Sequence, residues 1–143
     1  MSFLLDTNVV SELRRGRDPN VSLWASSIQD QELHLSVLTL GEVRKGIERL
    51  RPRDPVQADA FDAWLEMLRT DFVDRILPVD ERVAQRWGRL SITQDRPVVD
   101  SLIAATALVH GLTVATRNIA DFEGCGAPLF NPWLPRPDPS STL

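Results

Sequence analysis

Residues 98–122, VVDSLIAATALVHGLTVATRNIADF, limit the possible folds more than any other stretch of this chain. An acid, Asp100, stands at the start of an apolar helical run that stops at Gly111. A β-branched strand follows at once over 112–116, and a second acid, Asp121, lies in the loop beyond it. Helix, glycine stop and buried strand make half of a βαβ unit. Such units build parallel sheets, whose ligands gather outside the carboxyl ends of the strands. Asp121 is therefore expected at that edge, and Asp100 faces a shared cleft if it points the same way.

The rest of the chain repeats the alternation. FLL at residues 3–5 reads as a buried strand ending in Asp6, after which Thr7 or Asn8 caps a helix running to Gly16. Asp18-Pro19 opens the next helix, and Leu33, Leu35 and Val37 alternate as a second strand. Thr39-Leu40-Gly41-Glu42 starts a helix to about Leu50, and a longer amphipathic one spans 56–70. Ile76-Leu77-Pro78-Val79 suits a brief edge strand, because proline cannot donate to a ladder. Asp80 caps a further helix through Leu90, and Pro128-Leu129-Phe130 offers a last strand. The pattern predicts an α/β fold: three α/β/α layers around a mainly parallel sheet of four to five strands. One domain over 1–133 is expected, with a proline-rich tail over 134–143.

Composition removes several function classes. No apolar run approaches the roughly 18 residues a membrane span needs. An N-terminus reading MSFLLDTNVV does not look like a secretory leader, and a lone Cys125 fits a reducing cytoplasm. The net charge of −4 argues against a broadly basic nucleic-acid coat. Setting aside four site carboxylates would leave the remainder neutral, so a nuclease holding metal ions stays open. No G-x-x-x-x-G-K phosphate loop is present, which disfavours ATP-driven chemistry.

Four acids are the candidates. Each has a structural reading: Asp6 as a helix cap, Glu42 as the third residue after Thr39 in a capping box, Asp100 as a helix-dipole partner, Asp121 as a solvated loop residue. Asp6 ends a strand, Glu42 starts the helix after one and Asp121 follows another, which brings those three to one sheet edge, and Asp100 joins them if it faces the same way. Two carboxylates about 4 Å apart repel by roughly 4 kcal/mol at an effective dielectric near 20. Converging acids therefore call for protonation or a cation. Oxygen-only donors suit Mg²⁺ or Mn²⁺; His34 and His110 have no spaced partner, which counts against zinc.

The ordered set D-T-N in LLDTNVVSEL, S-x-x-T-x-x-E-x-x-x-G in LSVLTLGEVRKGI, the aspartate of VVDSL and T-x-N-x-x-D-F in VATRNIADF resembles PIN-domain ribonucleases. More narrowly it resembles the VapC/FitB-type toxins of toxin–antitoxin pairs, over nearly the whole chain to about Trp133. The resemblance implies an acidic Mg²⁺ site made of Asp6, Glu42, Asp100 and Asp121, with Asp6 and Asp100 the firmest ligands. Thr7, Asn8, Thr116 and Asn118 match the polar positions that orient those acids. It also implies an RNA substrate, a homodimer and a VapB/FitA-like antitoxin that blocks the site.

Arg44, Lys45 and Arg49, continued by Arg51 and Arg53, are the candidate phosphate contacts, with a solvated helix face as their structural alternative. Trp24, Trp64 and Trp87 read as core or dimer contacts, and Trp133 either docks on the body of the protein or contacts a partner. Two other functions compete with the nuclease. One is a catalytically idle RNA- or protein-binding module. The other is a phosphatase using Asp6 as nucleophile, weakened because Asn8 stands where that chemistry needs a second acid.

Overall fold

A computed structural model describes residues 1–91 and 96–136. Five short strands form one parallel sheet in the order β3-β2-β1-β4-β5. The first strand, β1 (Phe3–Leu5), lies at its centre, with β2 (Leu33–Ser36) on one side and β4 (Thr113–Ala115) on the other. The edges are β3 (Ile76–Leu77) and β5 (Leu129–Phe130). An apolar run is what a central parallel strand requires, because helices cover both faces. Phe3 and Leu5 enter one core, with Val9, Val10, Trp24, Leu33 and Leu35. Leu4 enters the other, with Ile103, Ala104, Ala107, Val114 and Phe122. Alternation along three residues thus ties the two cores together.

The first core is roofed by α1 (Thr7–Arg15), α2 (Pro19–Ser27) and side chains of α4 (Pro55–Asp71). The second is covered by α6 (Val98–His110), against which α5 (Glu81–Ser91) packs. The remaining long helix, α3 (Val37–Leu50), joins α4 through Ile47, Ala58 and Leu65. Local chemistry sets these boundaries. Asp18 caps α2 through its carboxylate, which accepts from the amides of Asn20 and Val21, with Pro19 in the first turn. Gly16 and Gly111 end α1 and α6 in the left-handed region, both at φ 65°.

Three boundaries differ from the sequence reading. Asp6, not Thr7 or Asn8, is the N-cap of α1; Thr7 is already helical. The helix after β2 begins at Val37, capped by Ser36, whose hydroxyl accepts from the Leu38 amide at 3.0 Å. Thr39 is consequently buried inside the first turn and caps nothing, so the Thr39–Glu42 capping box does not form. Asp121 lies in a short helix, α7 (Ile119–Phe122), where a loop was expected. The tail falls mostly outside the described residues, which reach only Arg136 of 134–143. No helix among the described residues is long and apolar enough to cross a membrane.

Candidate active site

The chain leaves β1 toward β2 on one side and leaves β4 toward β5 on the other. A crevice forms where neighbouring strands send their chains opposite ways, and this is where α/β proteins bind ligands. Asp6 and Thr116 occupy the two walls of that crevice. Asp6 extends the ladder past β1, its amide donating to Ala115 at 2.9 Å, and Thr116 does the same past β4 toward Phe130.

Asp6 is only 6% exposed and is held from three directions. The Thr7 amide donates to one carboxylate oxygen at 2.8 Å, and the Thr116 hydroxyl and Asn8 amide group donate to the other at 2.8 and 3.3 Å. Asn8 also reaches Thr116 and accepts from the Arg117 amide, stitching the β1 and β4 loops together. Asn118 contributes through its backbone: its amide donates to the Thr116 hydroxyl, and its carbonyl accepts from the Asp121 amide. Glu42 is exposed on the first turns of α3, and the Thr7 hydroxyl fixes it by donating to its carboxylate at 2.5 Å. With the capping box absent, this long-range bond from α1 is what orients Glu42.

Charge links the four acids even though they come from different elements. Burial pushes the Asp6 carboxyl up from its usual range; the bonds from Thr116 and Thr7 pull it down, and Glu42 and Asp121 push it up again. Half-buried Asp100 is pushed up to about 6, first by burial and then by Asp6, Asp121 and Glu42. Arg96 opposes this shift, and its guanidinium also donates to the Asp121 carbonyl oxygen. Arg96 was not singled out from sequence, although its position four residues before Asp100, next to Pro97, was a usable signal. Among the described residues no three His, Cys, Asp or Glu side chains form a ready metal cage. Mg²⁺ does not need one, because it keeps several waters and binds through one or two carboxylates. An all-oxygen donor set with mutually repelling charges fits such an ion, and the donor chemistry fits no soft metal.

The Asp100 shift has a measurable consequence. With a folded pKa of about 6 against 3.8 for the free side chain, the folded state holds the proton more tightly. This group's stabilising contribution is complete below pH 4 and is lost as pH rises through 6. Metal-free protein should therefore lose thermal stability across that window, and Asp100→Asn should flatten the loss. Solvent screening at this half-buried site limits the effect at pH 7 to the order of 1 kcal/mol, or a few degrees in Tm. Equal pH slopes for the two proteins in EDTA would refute the coupling.

The basic stretch of α3 is arranged differently from the expectation. Arg44 pairs with Asp62 and with Glu48, and Arg51 with Asp59, Asp62 and Glu48. The acids of α4 thus occupy Arg44, leaving exposed Lys45 and Arg49 from the proposed contact set. Trp133 docks on the body of the protein: it packs on the first core, its ring lies 5.3 Å from the Arg117 guanidinium, and its carbonyl accepts from Asn20.

Comparison with known proteins agrees with this architecture. Residues 3–123 match the PIN domain family. The chain is 35% identical to Toxin FitB of Neisseria gonorrhoeae over 140 residues, covering 92% of this chain and 98% of that one. It is 33% identical to VapC ribonuclease Y4jK of Sinorhizobium fredii, covering 93% and 99%. A chain in the solved structure of FitAB bound to an IR36 DNA fragment superposes with a TM-score of 0.84 at 33% identity, covering 94% and 97%. The matched span and these identities show that the chain belongs to the PIN-domain family, in the group that includes FitB and VapC.

Proposed function

We propose that the protein is the toxin of a toxin–antitoxin pair and acts in the cytoplasm as a Mg²⁺-dependent endoribonuclease. The observation that carries this reading is the buried Asp6 carboxylate at the β1/β4 crevice, held by Thr7, Asn8 and Thr116, with Glu42 bonded to Thr7 and the Asp100 carboxyl pushed up by burial and by the charges of Asp6, Asp121 and Glu42. Asp6 and Asp100 would hold the ion directly, with Glu42 and Asp121 completing the shell directly or through water. Mn²⁺ would substitute, since it accepts the same oxygen donors. A bound Mg²⁺ supplies an acidified water and neutralises charge on the leaving oxygen of a phosphodiester. The chain's own share is positional: Thr116, Asn8 and the Thr7 amide fix the oxygens of Asp6, and the Thr7 hydroxyl fixes Glu42. The aspartyl-phosphate alternative gains no support, because Asn8 donates to Asp6 where that chemistry needs a proton-carrying acid.

The relatives' names and the FitAB assembly support a toxin that works with a FitA- or VapB-like antitoxin, which would cover the acidic crevice until released. A homodimer is part of the same proposal. The direct test is RNA cleavage by the purified chain under metal control. Cleavage should require added Mg²⁺ or Mn²⁺, fall more than about 100-fold in excess EDTA, and return when the metal is restored. Cutting that continues in EDTA would reject the metal site; RNA left intact under every metal condition would reject the nuclease.

A further inference from the structure

Four carboxylates repel a polyanionic strand unless cations along its path offset them. Arg44 and Arg51 are poorly available for that role because α4 acids hold them. A different set stands beside the site. Thr7 and Glu42 also line a groove of about 270 Å³ between α1, α3 and α4, whose other lining residues include Arg14, Arg15, Phe61 and Trp64. Arg14 and Arg15 sit two turns along α1 from Thr7, roughly 11 Å at the helical rise. That distance spans about three nucleotides of a stacked strand.

Among the described residues these cations lack an acidic partner, and Arg14 rests on an aromatic support. Among the described residues no carboxylate forms an ion pair with Arg14, Arg15 or Arg17. The nearby Glu12 carboxylate is turned to the amides of Arg17 and Asp18, at 2.9 and 3.2 Å. The Arg14 guanidinium carbon lies over two aromatic rings, 4.2 Å from the Phe61 ring centre and 5.7 Å from that of Trp64. A planar guanidinium backed by an aromatic ring presents a surface for a base and a fork for a phosphate. Gly46 on α3 also lines the groove, and open space lies where its side chain would be.

We propose that this groove is the subsite for the RNA segment flanking the cut, with Arg15 and Arg14 holding its phosphates and the Arg14–Phe61 stack supporting a base. The proposal rests on the ribonuclease reading and names the path by which the strand reaches the acids. An acidic protein segment is the competing occupant. It is disfavoured because a carboxylate side chain makes no use of the stacked face.

The test is binding of a fluorescein-labelled 15-nucleotide single-stranded RNA of mixed sequence to Asp6→Asn protein in Mg²⁺, so that cleavage does not interfere. Arg15→Ala should weaken binding several-fold and make the slope of log K against log salt shallower by about 0.7, one phosphate contact on a single strand. Arg15→Glu should weaken it by at least about tenfold. Gly46→Leu, which fills the groove without altering charge, should weaken binding with the salt slope unchanged. Thermal melts confirm that each variant is folded. Affinity and slope unchanged in the folded Arg15→Ala and Gly46→Leu proteins would overturn the subsite. So would a poly-glutamate peptide that displaces the oligonucleotide as well as unlabelled RNA does. Failure of the Asp6→Asn parent to bind RNA at all would instead count against the ribonuclease reading itself.

Discussion

Asp6→Asn should lower RNA cleavage by about 1,000-fold while leaving the protein folded. The size follows from what the carboxylate does at this position. It is the most buried of the four acids and, among the described residues, the only one of them held by three separate donors, so its oxygens are fixed where a cation and a phosphate would meet. Asparagine keeps the shape and one acceptor oxygen. It can still cap α1 by accepting from the Thr7 amide, which is why the fold survives. What is lost is a negative charge and one anionic oxygen, and the desolvation that raises the Asp6 pKa is relieved at the same time. The variant should therefore melt no lower than the parent in EDTA. Cleavage within tenfold of the parent would show that Asp6 is only a cap.

Trp24→Ala should have the largest effect on stability, a loss of about 3–5 kcal/mol. Trp24 is 1% exposed and fills the first core from α2. Its ring meets Phe3 edge-on with centroids 5.1 Å apart and lies 5.4 Å from Phe130, so one side chain bridges the central strand and an edge strand. Removing it opens a cavity beneath β1, the strand that ends in Asp6. For a domain of this size the loss corresponds to a fall in Tm of 10 °C or more, read by calorimetry. Trp24→Phe is the informative companion. The indole nitrogen is buried with no acceptor among the described residues, so phenylalanine removes an unpaired donor along with some volume. It should cost less than half as much as alanine. Equal losses for the two would mean that ring volume is not what the site uses.

Much of the candidate site is legible in the sequence because its residues sit beside local signals. An apolar triplet followed by Asp6, and a glycine-stopped helix followed by a strand and Asp121, announce strand ends without any knowledge of the partner strands. Helix caps are similarly local, as Asp18-Pro19 and Asp80 show. Ambiguity begins where two nearby residues have the same chemistry. Ser36 and Thr39 are both competent caps, and the structure selects Ser36 because β2 must end there, with Ser36 opposite Leu77 in the sheet. That choice moves Glu42 out of a capping box and into the reach of Thr7, a contact across 35 residues.

What the sequence by itself determined is therefore the alternating α/β pattern, the apolar first strand and the choice of the four candidate acids, since hydrophobic period, capping chemistry and charge are properties of neighbouring residues. Only the tertiary structure decided the strand order that turns β1 and β4 into the walls of one crevice, the bonds that orient Asp6 and Glu42, and which arginines remain unpaired. Arg44 and Arg51 look free in sequence and lie against Asp59 and Asp62 in space, whereas Arg14 and Arg15 look ordinary and line the groove beside the acids. The physical reason is that electrostatic partnership depends on distance through space, and chain order carries almost no record of that distance once helices pack across a sheet.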